Sequence, residues 1–374
     1  MRVLHLYSGN LFGGIETILV SLARHARGSD VSHEFAVCFD ARLAQELRDA
    51  KAPVHLLAPV RVSRPQTIGR ARKRLASLLA SRPFDVCVTH APWSHALFAA
   101  TVRRADASLA FWAHDAWRGR HWTERWARRT VPDLLIANSA FTADTVAPIF
   151  GSASREIVHA PIDVSRVVLA AGERAAIRRA LTTPDDAVVV VQASRLESWK
   201  GHATLLRALA ALKGGPSWMC WIAGGAQRAT EQRYAESLRA LVDQLGIGGR
   251  VRFAGERTDV PRLLAAADVY CQPNSSPEPF GIVLIEALAA GLPVVTTASG
   301  GALEIVDDTC GRLVPDSADA GEWASILRSF VGEPRLRARL GAAGPSRAAA
   351  VCDPGRQLQR LHQALRSVRV AVAR

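Results

Sequence analysis

No two of the six cysteines, Cys38, Cys87, Cys220, Cys271, Cys310 and Cys352, stand in C-x-x-C spacing, which excludes a zinc ribbon or a dithiol redox motif. Cys38, Cys87, Cys220 and Cys271 lie inside apolar runs, where a free thiol behaves as a small hydrophobe, so structural thiols in a reducing compartment are expected. Long apolar runs are missing as well. The most apolar stretch, 281–297, is interrupted by Glu286, Gly291 and Pro293 and cannot span a bilayer. Residues 1–7 are too short for a signal peptide and read as a first β-strand, so a soluble, cytoplasmic protein is expected. There is no low-complexity segment and no solenoid-type repeat. No D-x-D-like site stands at a strand end, so neither a metal nor another cofactor is expected. Negative charge is in short supply: 34 acidic residues face 47 lysines and arginines, a net charge of +13. That balance favours acidic partners such as nucleic acid, anionic lipid or phosphorylated substrates. RRM, KH and zinc-finger patterns are absent, which argues against nucleic acid as the partner.

The 374 residues suit two domains of ordinary size. In the first half, β-rich apolar runs at 3–7, 35–39, 54–57, 86–89, 109–113, 134–137 and 157–160 alternate with helical patterns. A second series starts at 188–192 and continues at 219–223, 251–254, 269–272, 294–296 and 312–314, again with helices between. Regular alternation implies parallel strands joined by right-handed crossovers, with helices on both faces. The expected fold is α/β: two tandem, doubly wound, Rossmann-like domains over 1–163 and 164–355, facing a cleft. A basic helix over 356–374 follows, free to pack back on the first domain. Ligands of such sheets bind beyond the carboxyl ends of the strands, so the chemistry belongs in the strand-to-helix loops.

One of those loops carries the strongest signal, Pro273-Asn274-Ser275-Ser276-Pro277-Glu278-Pro279-Phe280-Gly281-Ile282-Val283-Leu284-Ile285-Glu286-Ala287-Leu288. A helix opening at about Gly281 is apolar all round except for Glu286, and a carboxylate on a buried helix needs a partner or a polar opening. Gly281 leaves the first N–H groups of that helix accessible to an anion. A nucleoside diphosphate sugar laid here would put phosphate on those groups, its ribose near Glu286 and its sugar near Glu278. The plainer reading makes Glu278 a solvated loop residue and Glu286 an internal ion-pair partner. Arg195 and Lys200 follow the strand that opens the second series, where two cations suit a diphosphate. Gly13-Gly14 after the first strand allows close approach of backbone to a ligand, or is merely a turn. His114-Asp115 ends the strand 109–113, and His90 is a weaker candidate of the same kind. Ser139 reads as a helix N-cap. The segment 117–129 interleaves arginine with Trp117, Trp122 and Trp126, which fits an anionic membrane surface, a phosphorylated or lipid-linked acceptor, or a helix with buried tryptophans.

The E-x7-E spacing of Glu278 and Glu286 around Phe280-Gly281 resembles the donor-binding signature of retaining glycosyltransferases of family four, which have the GT-B fold. Gly13-Gly14-Ile15-Glu16, Arg195 with Lys200-Gly201, and Gly300-Gly301 with Glu304 and Gly311 resemble further motifs of that family, over nearly the whole chain. The resemblance implies transfer of a sugar from a nucleotide diphosphate sugar to an acceptor hydroxyl with retention, in synthesis of cell-surface polysaccharide, lipopolysaccharide or glycolipid. It implies Arg195, Lys200, Glu278 and His114 as catalytic residues, and Gly13, Gly14, Phe280, Gly281, Ile282 and Glu286 as donor-binding residues. The implied acceptor is a glycan or a lipid-linked molecule, met at the inner membrane face. The chain departs from the family pattern at Ala223-Gly224-Gly225-Ala226 and at Ala160-Pro161-Ile162-Asp163. An epimerase or phosphorylase of the same fold is the alternative enzyme.

Overall fold

The computed structural model describes residues 1–105, 107–163, 170, 172–212, 215–315 and 319–372. The chain divides into two compact units, Met1–Ile162 with Cys352–Arg374, and Asp163–Val351. The expected start of the second domain, residue 164, lies outside the described residues.

In the first unit β1 (Arg2–Tyr7), α1 (Gly14–His25), β2 (Ser32–Val37), α2 (Arg42–Asp49), β3 (Val54–Leu56), α3 (Pro65–Ser81), β4 (Val86–His90) and α4 (Ala91–Arg103) follow one another. Then come β5 (Ser108–Ala113), α5 (Trp122–Ala127), β6 (Leu134–Ala137), α6 (Ala140–Phe150) and β7 (Ser154–Ile157). The seven strands form one parallel sheet in the order β3-β2-β1-β4-β5-β6-β7. β4, β5 and β6 are buried along their whole length, which is why they read as unbroken apolar runs rather than as alternation. The last strand ends where a strand was expected to begin. Apolar Val158 and Ala160 mark that place in the sequence, but they are buried beyond the strand, while the edge strand β7 itself is exposed. Ser139 caps α6 as expected, accepting from Thr142 N at 2.9 Å.

The second unit runs α7 (Glu173–Ala180), β8 (Val188–Ala193), α8 (His202–Ala210), β9 (Trp218–Ala223), α9 (Ala229–Gln244), β10 (Val251–Gly255), α10 (Val260–Ala265) and β11 (Val269–Gln272). It continues with α11 (Ile282–Ala289), β12 (Val294–Thr297), α12 (Ala302–Ile305), β13 (Gly311–Val314), α13 (Ala320–Gly332) and α14 (Pro334–Cys352). Its six parallel strands are ordered β10-β9-β8-β11-β12-β13. Asp268 staples this sheet to α7: its carboxylate takes Val189 N at 2.7 Å and the guanidinium groups of Arg174 and Arg178 at 2.6 and 3.2 Å. α14 carries no strong sequence signal, because Gly341, Gly344 and Pro345 interrupt it. Those glycines are required by packing, since a Cβ at Gly341 would sit 2.2 Å from Gly291 O and one at Gly344 2.5 Å from Leu288 O. The last helix, α15 (Pro354–Val372), belongs to the first unit, where it packs against α1, β5 and β6. Both sheets are thus doubly wound, reversing direction between β1 and β4 and between β8 and β11. Among the described residues no helix is long and apolar enough to cross a membrane.

Candidate functional site

In the second unit, the loops after β8 and β11 flank the point where strand order reverses, the place such sheets reserve for ligands. They bring Lys200 and Glu278 into contact. Lys200 Nζ donates to Glu278 Oε2 at 2.7 Å, and the two side chains are only 11% and 9% exposed. Gln272 Nε2 and Asn274 Nδ2 donate to the same oxygen at 2.9 and 2.8 Å. Tyr270 in turn donates its hydroxyl to Gln272 Oε1 at 2.6 Å, which fixes the amide with its NH2 toward Glu278. All three donors converge on Oε2, and Oε1 takes no hydrogen bond among the described residues. Glu278 is therefore an oriented, buried carboxylate, not a solvated loop residue.

Backbone contacts hold this arrangement. Gly201, at φ +75°, lets the end of the β8 loop press on Pro273: a Cβ there would lie 1.7 Å from Pro273 O. Ser275 N donates to Trp199 O at 2.8 Å, joining the two loops a second time. A third loop closes in from β12, where Gly301 N donates to Glu278 O at 2.7 Å. Gly300 touches the same residue so closely that a Cβ would meet Glu278 O at 2.2 Å. Lys200 Nζ lies 3.9 Å from the Trp199 ring centroid. Arg195 stays 44% exposed and pairs with Glu197 at 3.0 Å, while Trp199 Nε1 donates to the same carboxylate oxygen at 2.9 Å.

α11 starts one residue later than expected, at Ile282, with Gly281 as N-cap at φ +106°. Phe280 is 2% exposed, and Ile282 is half-buried at the first helical position. The Glu286 carboxylate makes no hydrogen bond or ion pair among the described residues, so it is not an internal ion-pair partner. Its residue keeps a partly exposed surface, yet the protein packed around the carboxyl raises its pKa to about 7 by desolvation. A carboxylate at a polar opening fits both facts, whereas full burial does not.

The first unit holds the remaining candidates. Gly13 N donates to Glu16 Oε2 at 2.9 Å, so the acidic residue of α1 restrains the loop after β1. Gly14 is exposed at the first position of α1. His114, just past β5, is 6% exposed, and burial lowers its pKa to about 3, so the ring is neutral. Asn138 donates to its carbonyl at 3.0 Å, its Nε2 lies 2.9 Å from His90 Nδ1, and its Nδ1 is buried with no partner among the described residues. On the basic segment, Trp117 is buried, whereas Trp122 is 39% exposed and lies tilted against Trp126, with ring centroids 6.1 Å apart. Arg72 of α3 lies 5.6 Å over Trp126, and Arg118, Arg120, Arg125, Arg128 and Arg129 are exposed around it. Sequence reasoning missed Gln272, Asn274, Glu197 and Trp199. The signal for the first was there: a glutamine ends the otherwise apolar strand β11 and must find partners.

Comparison with known proteins matches residues 12–166 to the Glycosyltransferase Family 4 model and residues 173–347 to the model of Glycosyl transferases group 1. The chain is 34% identical over 212 residues to the lipopolysaccharide core biosynthesis glycosyltransferase LpsE of Rhizobium meliloti, covering 57% of this chain and 58% of that protein. It is 31% identical over 226 residues to a D-inositol 3-phosphate glycosyltransferase of Stackebrandtia nassauensis, covering 58% of this chain and 50% of the relative. The matches thus span only about half the length of those relatives. In structure it is similar to Anabaena Alr3699/HepE in complex with UDP and glucose, with a TM-score of 0.87 at 25% identity over 98% of this chain and all of that one. The chain is thus similar to glycosyltransferases along most of its length, one family model matching in each part, and its two Rossmann-like units have the GT-B fold class.

Proposed function

We infer that the chain transfers a hexose from a nucleotide diphosphate sugar to an acceptor hydroxyl with retention of configuration, in the synthesis of lipopolysaccharide, another cell-surface polysaccharide or a glycolipid. The observation that carries this reading is the Lys200–Glu278 pair at the strand-order reversal, with Arg195 in the same loop. Lys200 and Arg195 stabilise negative charge as it develops on the leaving diphosphate. The N–H groups at the start of α11, beyond Gly281, Phe280 and Ile282, add to that field. Glu278, held through Oε2, offers Oε1 to sugar hydroxyls, and Glu286 serves the ribose. Within the first unit, Gly13, Gly14 and His114 are the further candidate site residues, His114 as a neutral imidazole. The relative named for lipopolysaccharide core biosynthesis and the neighbour that holds UDP and glucose support the choice of pathway class and donor.

Two cations in the site supply the charge that a divalent ion would otherwise bring, so turnover proceeds without added metal. The exposed Trp122 with its surrounding arginines supports docking of a lipid-linked acceptor at the inner, anionic membrane face of the cytoplasm. The test is a thermal-shift screen against nucleoside diphosphates and their sugars, followed by product analysis in the presence of chelator. A stabilising nucleotide sugar and a product of retained anomeric configuration are expected. Failure of every nucleotide to stabilise the protein refutes the reading, and donor epimerisation or phosphorolysis without an acceptor hydroxyl would replace it.

A further inference from the structure

Five histidines from distant parts of the chain form one continuous hydrogen-bonded row in the first unit. His362 Nε2 lies 2.9 Å from His33 Nε2, and His33 Nδ1 lies 2.8 Å from His5 Nε2. His5 Nδ1 then lies 2.9 Å from His90 Nε2, and His90 Nδ1 lies 2.9 Å from His114 Nε2. The row starts on α15, crosses the sheet through β2, β1 and β4, and ends in the loop after β5. Burial drives His5 and His114 to about 3 and holds His33 and His90 well below the ordinary range, so these rings are neutral. His362 is lowered less drastically, by burial and then by Arg366 and the N-terminal ammonium, with Asp30 opposing them. Arg366 and Asp30 pair beside it at the surface, 50% and 75% exposed.

A neutral imidazole has one N–H and one bare nitrogen. The three inner rings use both nitrogens within the row, so each donates to one neighbour and accepts from the other. The neutral row therefore has only two arrangements, and every ring changes tautomer between them. In one, His114 Nε2 donates to His90, the next three donors are also Nε2 atoms, and His114 Nδ1 is bare. In the other, His362 Nε2 donates first, and His114 Nδ1 carries hydrogen. The Nε2–H form is the intrinsically favoured tautomer of neutral histidine. The first arrangement has four such rings and the second has one.

We propose that His362, His33, His5 and His90 are positioning residues that together fix His114 Nδ1 as a hydrogen-bond acceptor for a ligand hydroxyl, so that a residue on the C-terminal helix sets the role of a side chain in the candidate site. The buried Nδ1 of His114, without a partner among the described residues, is the inner end of the row, where that hydroxyl would complete the pattern. The identity of the hydroxyl as a sugar's rests on the glycosyl-transfer reading; the tautomer assignment does not.

The test is nitrogen-15 NMR of the imidazole groups at about pH 7.5, with His114 identified through His114→Gln. The wild-type protein should show a bare Nδ1 at His114. His362→Lys can only donate to His33, and should move the hydrogen to His114 Nδ1, on the far side of the sheet. His362→Gln can accept as well as donate, and should keep the wild-type tautomer. With an active enzyme, His362→Lys should lower kcat/KM for the donor about tenfold, the loss of one neutral hydrogen bond, while His362→Gln stays within about twofold. A protonated Nδ1 at His114 in the wild-type protein overturns the proposal, and that measurement stands should His362→Lys fail to fold. An unchanged tautomer in a folded His362→Lys overturns it equally. Because the spectra need no turnover, they decide the matter even if glycosyl transfer is never observed.

Discussion

Mild acid should dismantle the first unit well before the second. His5, His33, His90, His95 and His114 are each 7% exposed or less. Desolvation is the first cause in every case, lowering His5 and His114 to about 3 and His95 to about 4, with His33 and His90 also well below the usual value. The unfolded chain takes up protons near pH 6.5, while the folded chain waits for far lower pH, so their stability contribution is complete above pH 6.5 and is lost as pH falls. At about pH 5.5 each such histidine costs ~1.4 kcal/mol, and the five together ~7 kcal/mol, with little loss at pH 7.5. That is comparable to the whole stability of an ordinary domain, about 5–15 kcal/mol. The second unit contains one histidine, His202, lowered to about 3, and so forfeits only ~1.4 kcal/mol at the same pH. Glu286 works the other way: its raised carboxyl protonates on the way down, which relieves a cost in that unit. Urea denaturation at pH 7.5 and 5.5, with limited proteolysis and mass spectrometry to locate the cuts, reads both effects. Cleavage at pH 5.5 should concentrate between Met1 and Ile162. A stability that is flat between the two pH values, or a second unit that opens first, would refute the neutral, buried state of these rings.

Lys200→Ala should cut turnover by about a hundredfold or more, the scale of a lost transition-state donor. It should also lower stability by about 2 kcal/mol, because Glu278 keeps Gln272 and Asn274 but loses its counter-charge; calorimetry beside steady-state kinetics separates the two. Gly201→Ala should destabilise the second unit by at least about 2 kcal/mol, since backbone oxygen blocks the new methyl group and φ is left-handed; near-native melting would disprove that contact. Affinity for a nucleoside diphosphate should rise severalfold from about pH 6.5 to 8 as Glu286 ionises around 7, and Glu286→Gln should flatten the part that this carboxyl supplies, as read by calorimetric titration. Trp122→Ala with Arg125→Ala should weaken sedimentation with anionic vesicles while leaving transfer to a soluble acceptor unchanged.

The succession of strands and helices was legible because it leaves a periodic trace, and doubly wound sheets were expected from that alternation, whereas the order of strands within each sheet leaves no such trace. The motif 278–286 was legible in position but not in emphasis. On the sequence Glu286 is the conspicuous residue, a charge on an apolar helix, and Glu278 merely occupies a loop. The fold reverses this order: Glu278 is gripped by three donors, and the partly exposed Glu286 carboxylate has no partner among the described residues. Hydropathy reads a residue's neighbours along the chain, whereas Glu278 is buried by Lys200, 78 positions away, and by the Gly300–Gly301 loop.

The histidine row makes the same point more strongly. His5, His33, His90, His114 and His362 share no motif: three lie in different strands, one follows a strand and one is on the last helix. Only the order β2-β1-β4-β5 sets four of them side by side, and only the return of α15 to the first unit supplies the fifth. A buried polar residue needs a partner, and on the sequence only His90 and His114, at strand ends, stood out as candidates. What was not readable is that these residues satisfy one another. Substituting one should therefore be felt beyond its own contact, because a row that has only two arrangements transmits the change to both ends. Pairwise mutant cycles between His362 and His114 should show coupling although the two rings never touch, whereas His95, which bonds Thr89 and Thr130 instead, should be additive with either.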